Sequence, residues 1–342
     1  MELQTLLTTA LDKLYENTDL RLEQIQLEPP MEGQRRPDAL LRLRTEGKEK
    51  LFAVECKKNV TKDTAGAVIH FMRELPEKGM LVANYIPPAV GQQLRANRVP
   101  FIDTVGNAFI HEPPVHIDIR GQKPPAKKWK EEIKGAAYRP TGLQVVFGFL
   151  CQPEIINEPF RTIAEKVGVA HGTVGWVMRD LHDQGFVVKI GKKDKKLIRR
   201  KELLKTWVER YAETLRPKQF IGRYLVEDLE KFRKVRLSDY HAYWGGEPAA
   251  EKLTNYLQPA TFTLYMRDDA KKFIVLNALK ANEQGNVELL KTFWGPGFIP
   301  WGKDTVPHIL VYADLLASGQ GRNIETASLI YEQELTRLIG QD

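Results

Sequence analysis

The most constraining feature of the chain is EPFRTIAEKVGVAHGTVGWVMRDLHDQGFVVKIGKKDKKLIRR (158–200), where helical periodicity, glycines placed to end helices at 168 and 185, and a basic hairpin follow one another. Ile163, Ala164 and Val167 give the first helix an apolar face, with Pro159 suited to its opening turn. Gly168 breaks that helix and Val169 packs the turn. A second helix is predicted from His171 to Gln184. Its residues Val174, Val177, Met178 and Leu181 recur at i, i+3, i+4 and i+7, one core-facing stripe, and Gly185 closes it. FVVKI and KLIRR read as short strands around a basic tip, GKKDK. Upstream, LQVVFGFL (143–150) suits a buried helix.

Charge singles out the same region. Residues 121–205 hold 18 Lys and Arg against nine Asp and Glu, a surplus of nine, whereas the whole 342-residue chain carries only +7. Everything outside that window is slightly acidic. A basic block within a folded segment is the electrostatic footprint of a polyanion binder, or simply a solvated basic surface. Other classes fall away. With 42% hydrophobic and 28% charged residues the composition is that of folded protein. No apolar run approaches the roughly 20 residues of a membrane-spanning helix. The N-terminus lacks the pattern of a signal peptide, which points to the cytoplasm. Two cysteines, Cys56 and Cys151, cannot build a disulfide framework or a four-cysteine zinc site.

The order of two helices, tight turn and β-hairpin resembles a winged helix-turn-helix. That resemblance implies a second helix lying in the major groove of double-stranded DNA. His171, Thr173, Trp176 and Arg179 then lie near base edges, with Arg179 the candidate for a bidentate guanine contact. Lys192, Lys193, Lys195 and Lys196 on the wing meet phosphate and set affinity rather than sequence choice. A winged helix serving as a protein–protein module, with Trp176 as partner contact, is the alternative.

Nearer the N-terminus, RPDALLRLRTEGKEKLFAVECKKN (36–59) reads as a β-hairpin. Ala39, Leu41 and Leu43 point one way, while Asp38, Leu40 and Arg42 point the other. Ala53, Glu55 and Lys57 share a face of the second strand, so Asp38 can approach Glu55 and Lys57. This Pro37-Asp38 … Glu55-x-Lys57 arrangement resembles the PD-(D/E)xK nuclease superfamily. The resemblance implies that Asp38 and Glu55 hold Mg²⁺ while Lys57 orients or activates water. Glu16 or Glu23, on a preceding helix, would complete the metal site. MLVANY, a helix over 88–97, PFID and NAFI continue the α/β pattern. A salt-bridged strand edge in an inactive scaffold is the competing reading, so enzymatic activity stays open.

The chain as a whole is read as α/β and multidomain. A nuclease-like α/β domain spans 1–120, a Pro/Lys-rich basic linker 121–139, the winged helix-turn-helix 140–215, and a mixed α/β domain 216–342. In the last, TFTLY (261–265), VELLKTFW (287–294) and HILVYA (308–313) read as strands. Asp314, Arg322 and Glu325 either line a ligand or partner pocket or merely serve the turns and caps around them.

The phrases WGGEPAAEKLTNYL (244–257) and YADLLASGQGRNIETASLIYE (312–332), following a mid-chain winged helix, resemble the AbiEi-like transcriptional regulators of type IV toxin–antitoxin systems. The resemblance implies binding to inverted repeats at the protein's own promoter, repression of the operon, and neutralisation of a nucleotidyltransferase-type toxin without a stable complex. Palindromic sites would suit a homodimer. No resident cofactor is required, Mg²⁺ at the nuclease-like site aside. Two other readings stand beside this one: a Mg²⁺-dependent endonuclease positioned on DNA by its winged helix, and an interaction scaffold.

Overall fold

The computed structural model describes residues 3–29, 37–45, 48–75, 77–124, 135–190, 194–267, 269–300 and 303–340, and it divides into two units, Met1–Glu132 and Ile133–Asp342. The first begins with α1 (Leu3–Thr18). There follow β1 (Leu22–Leu27), β2 (Ala39–Thr45), β3 (Lys48–Lys57), α2 (Lys62–Arg73), β4 (Lys78–Ala83), α3 (Pro88–Ala96), β5 (Phe101–Asp103), β6 (Ala108–Glu112) and β7 (Val115–Ile119). The strands form one seven-stranded sheet in sequence order. β1, β2 and β3 are an antiparallel meander, β3, β4 and β5 run parallel, and β5, β6 and β7 are antiparallel again. The parallel pairs need crossovers, which α2 and α3 supply.

One face of this sheet is sealed by α1. Leu6, Leu7, Ala10 and Leu14 lie on one side of that helix and pack with Leu41, Leu43, Phe52, Val54, Met80, Val82 and Ile110. Because strand side chains alternate, Leu40, Ala53, Glu55 and Leu81 belong to the opposite face. The predicted hairpin is therefore present with the predicted facing. Its register pairs Ala39 with Val54 and Leu41 with Phe52.

The second unit opens with α4 (Pro140–Cys151), α5 (Phe160–Val167) and α6 (His171–Asp183), followed by β8 (Val187–Ile190) and β9 (Asp194–Leu197). Next come α7 (Arg200–Arg210), α8 (Arg216–Gln219), β10 (Phe220–Leu225), α9 (Leu229–Arg233), β11 (Ala242–Gly245), α10 (Gly246–Thr254), β12 (Phe262–Met266), α11 (Ala270–Leu276), β13 (Lys280–Ala281), β14 (Val287–Lys291), α12 (His308–Ala317), α13 (Gly321–Ile330) and α14 (Thr336–Ile339). β8 and β9 form their own antiparallel hairpin. The other five strands form a sheet of order β11-β12-β14-β10-β13, in which only β12 and β14 are parallel. α7 joins α8, and α13 joins α14, through one wide π turn each, at Tyr211–Leu215 and Tyr331–Leu335.

An aromatic core ties the three-helix part of this unit to the sheet. Phe147 of α4 stacks on Trp207 of α7 at 5.4 Å and meets Phe293 edge-on at 5.1 Å, with Trp294 and Phe298 close by. Such rings contribute packing beyond the area they bury.

Three sequence expectations are corrected. HILVYA is not a strand but the first part of α12, a ten-residue helix whose Ile309–Leu316 are all buried. A continuous apolar run has no periodicity to separate a buried strand from a buried helix, and here length and Pro307 at the helix start decide. β14 ends at Lys291, because Phe293 and Trp294 leave the sheet for the aromatic core. In KLIRR, only Lys196 and Leu197 are strand; Arg199 adopts a left-handed conformation at φ +51° and Arg200 opens α7.

Candidate nucleic-acid interface and carboxylate cluster

α6 divides cleanly into two sides. Val174, Val177, Met178 and Leu181 are buried, whereas His171, Trp176 and Arg179 are exposed and Thr173 is half-buried. Trp176 leaves 62% of its surface in solvent. The Arg179 guanidinium lies over its ring, 5.3 Å from the centroid, a cation–π contact that narrows the arginine's rotamer freedom. The stripe inferred from sequence is therefore the buried one, and the four residues named for base contact occupy the other side.

Both ends of α6 are fixed. At its start, Gly168 adopts φ +74°, and a side chain there would also crowd the Phe293 carbonyl at 3.1 Å. The Val169 amide then donates to the Ala164 carbonyl, 3.0 Å. At its end, Asp180 accepts from the Ala137 amide at 2.8 Å and from Gln184 Nε2 at 2.9 Å. The Tyr138 hydroxyl donates to Gln184 Oε1 at 2.6 Å. Burial, with Asp180 and Glu202 nearby, pushes the Tyr138 phenol up to about 12. Half-buried Asp180 thus anchors the end of α6 to the segment before α4.

The hairpin is stapled as well. Asn157 Oδ1 accepts from the Lys195 amide at 2.7 Å, and its Nδ2 donates to the Lys195 carbonyl at 3.0 Å. The Lys195 ammonium sits 5.8 Å above the Phe160 ring. Lys196 is exposed, while Lys192 and Lys193 lie outside the described residues. Asn157 and Phe160 carry no sequence signal for this role. Only the fold brings them to the hairpin.

In the first unit, the pairing of Ala39 with Val54 sets Asp38 beside Glu55. Asp38 Oδ2 accepts from the Cys56 amide at 2.7 Å. Glu55 is 5% exposed, and Lys57 Nζ stands 3.4 Å from its Oε1. Lys57 thus reaches Glu55, while Asp38 binds the backbone of the residue between them. The acids proposed to join them are engaged elsewhere: Glu16 pairs with Lys13 at 2.5 Å, and Glu23, which is on strand β1 and not on a helix, faces Arg42 and Arg44. Among the described residues no group of three or more His, Cys, Asp or Glu is arranged to hold a metal ion. Two carboxylates still fit Mg²⁺, which commonly takes one or two from the protein and fills its shell with water and phosphate. Burial, with Asp38 and Glu55 adjacent, raises the Cys56 thiol, and burial raises Cys151, so neither is a ready nucleophile.

Asp314, Arg322 and Glu325 do not form one pocket. Asp314 is buried and accepts from the Tyr211 hydroxyl at 2.7 Å, the Tyr265 hydroxyl at 2.9 Å and Arg216 Nε at 3.2 Å. Arg216 also reaches Glu288 at 2.7 Å. Arg322 Nη2 and Asn323 Nδ2 instead converge on Glu247, at 2.8 and 3.0 Å. Glu247 additionally accepts from the Ala260 amide at 2.7 Å. Glu325 is exposed on α13. Glu247 thus joins the WGGEPAAEKLTNYL phrase to the GRN of the closing one, the two stretches on which the resemblance was drawn.

A match to a known family concerns this region. Residues 196–336 match the family model of the transcriptional regulator, AbiEi antitoxin, type IV toxin–antitoxin system. The AbiEi match runs from β9 to the start of α14, about two-fifths of the chain, and so contains both polar networks and the aromatic loop at Phe293 and Trp294. α6 and the Asp38–Glu55–Lys57 cluster lie outside it. No curated protein and no solved structure matches the chain. Among the described residues no helix is long and apolar enough to cross a membrane.

Proposed function

We propose that this chain is a cytoplasmic, DNA-binding transcriptional regulator that acts as the antitoxin of a type IV toxin–antitoxin operon and represses its own promoter. The observation that carries the DNA-binding part is the two-sidedness of α6. Its apolar stripe is consumed by the core, which leaves His171, Thr173, Trp176 and Arg179 on the side away from it. Reading α4, α5 and α6 with the β8–β9 hairpin as a winged helix-turn-helix makes α6 the groove helix and the hairpin lysines phosphate contacts. The antitoxin part rests on the AbiEi match over residues 196–336. A nucleotidyltransferase-type toxin is the functional counterpart, and a homodimer on an inverted repeat is the assembly that symmetric operators favour.

The test is binding of the full chain to its own upstream DNA without divalent metal. The reading requires retention of that fragment over random DNA, with an affinity that falls steeply with salt. A log–log salt slope near zero contradicts it. Co-expression with a nucleotidyltransferase-type toxin tests the antitoxin role separately, because growth rescue does not depend on operator binding.

The Glu55–Lys57 contact, with Asp38 bound to the backbone between them, supports a second reading, a Mg²⁺-dependent DNA endonuclease. Asp38 and Glu55 would hold the ion, which would supply Lewis-acid stabilisation of the phosphate and an activated water. Lys57 would steady the developing negative charge. Glu55→Gln abolishes cleavage on this reading, and cleavage that persists in Glu55→Gln removes it.

A further inference from the structure

β6 and β7 form a hairpin closed by Pro113-Pro114, and its register sets His111 directly opposite His116. The two Nδ1 atoms are 3.0 Å apart and the ring centroids 4.4 Å. Both residues are exposed, and neither belongs to any site described above.

The backbone beneath this pair is held by packing. Ile110 and Ile117 face each other one position along, on the side that α1 covers. A slip of one residue would expose them, so the register that makes the histidine pair is enforced. The Phe109 ring lies nearly parallel to His111, with 6.5 Å between centroids and 14° between planes, and Arg95 caps Phe109 in turn at 5.8 Å. The imidazoles therefore project from a braced surface.

Their spacing has a chemical meaning. A zinc–imidazole bond is about 2.0–2.1 Å, so two nitrogens on one ion at 90–110° lie roughly 2.9–3.4 Å apart. The observed 3.0 Å falls in that range. Without metal, one nitrogen must donate to the other through a single shared proton, and a divalent ion takes that proton's place. Imidazole nitrogen favours zinc, nickel and copper over magnesium or calcium. The carboxylate on the same face, Asp118, lies opposite Phe109 and is occupied by Arg95 at 2.8 Å and by Arg120.

We propose that His111 and His116 form a bidentate site for one divalent transition ion of the imidazole-preferring class, its remaining positions open to water or an outside ligand. This site is independent of DNA binding and of the Asp38–Glu55–Lys57 cluster.

Untagged full-length protein titrated with Ni²⁺ alone tests it, alongside His111→Gln, His116→Gln and, as a control, His182→Gln. Loss of a mere supporting contact to a metal ligand costs 10–100-fold, so loss of a ligand itself is expected to weaken binding by about 100-fold. One equivalent should bind the wild type and the His182 variant, and each hairpin variant should lose it. Paramagnetic broadening by Ni²⁺ should begin at amides 109–118. A wild type with no saturable equivalent, or an equivalent that survives both hairpin substitutions, overturns the proposal. So does broadening that starts elsewhere.

Discussion

The backbone amide of Gly295 donates to the carbonyl of Lys166 across 2.8 Å, linking the loop after β14 to the last turn of α5. A Cβ at position 295 would sit 1.9 Å from the Glu165 carbonyl oxygen, so this contact is open only to glycine. Gln152 Nε2 adds a second tie, to the Phe298 carbonyl at 3.3 Å. The helix-turn that presents α6 is thereby joined to the AbiEi-matched part of the chain.

Gly295→Ala should accordingly destabilise the second unit by at least the roughly 1–3 kcal/mol typical of overpacking, because the obstructing atoms are backbone. A chemical denaturation midpoint measures this. For the same reason an isolated 140–215 fragment should unfold with poor cooperativity, since Phe147 loses Phe293, Trp294 and Phe298. A fragment as stable as the full chain would show that the shared aromatic core is dispensable.

Arg179 and Lys196 should separate specificity from affinity. Arg179→Ala is expected to cost about 1–3 kcal/mol on the operator and little on random DNA, because a bidentate base contact discriminates between bases. Lys196→Ala should weaken both alike and reduce the salt slope by about one. Competition anisotropy on the two DNAs distinguishes the outcomes, and equal losses for Arg179→Ala would remove it from the groove.

The Tyr138 phenol, raised from 10.0 to about 12, makes stability depend on alkaline pH. The native state holds its proton more tightly than the unfolded chain, so its contribution is fully present below pH 10. That contribution is lost as pH rises from about 10 through about 12. Tyr138→Phe should flatten the alkaline limb of a denaturation profile in this window. An unchanged limb would mean that burial beside Asp180 and Glu202 does not hold the Tyr138 proton in the folded state.

Glu247→Ala should destabilise the protein more than Arg322→Ala. Removing the carboxylate takes one acceptor from the buried Asn323 amide, which keeps only Ser318 Oγ, at about 1–3 kcal/mol for a buried donor left unsatisfied. Arg322→Ala instead leaves the buried Glu247 carboxylate with its other donors, Asn323 Nδ2 and the amides of Ala260 and Thr261. Urea midpoints of the two variants and of the double variant give the order and the coupling.

Much of the layout was legible where a local pattern met a single physical constraint. Val174, Val177, Met178 and Leu181 announced the buried side of α6, and strand alternation announced that Asp38, Glu55 and Lys57 would share a face. The Gly168 break and the boundaries of α3 and α6, each within one residue, followed from the same logic. α12 was misread because its apolar residues surround the helix and leave no period. Glu247 was missed because its partners at positions 260, 322 and 323 are brought to it only by the fold.

Local chemistry in the chain therefore determined which side of each element is apolar, where glycine permits a turn and where positive charge accumulates, since these depend on neighbours a few residues away. Tertiary structure alone decided that Asp180 takes the Ala137 amide, that Asn157 holds the Lys195 backbone, and that Gly295 meets Lys166. Each of those contacts joins groups whose separation along the chain says nothing about their distance in space; packing of the two cores sets it.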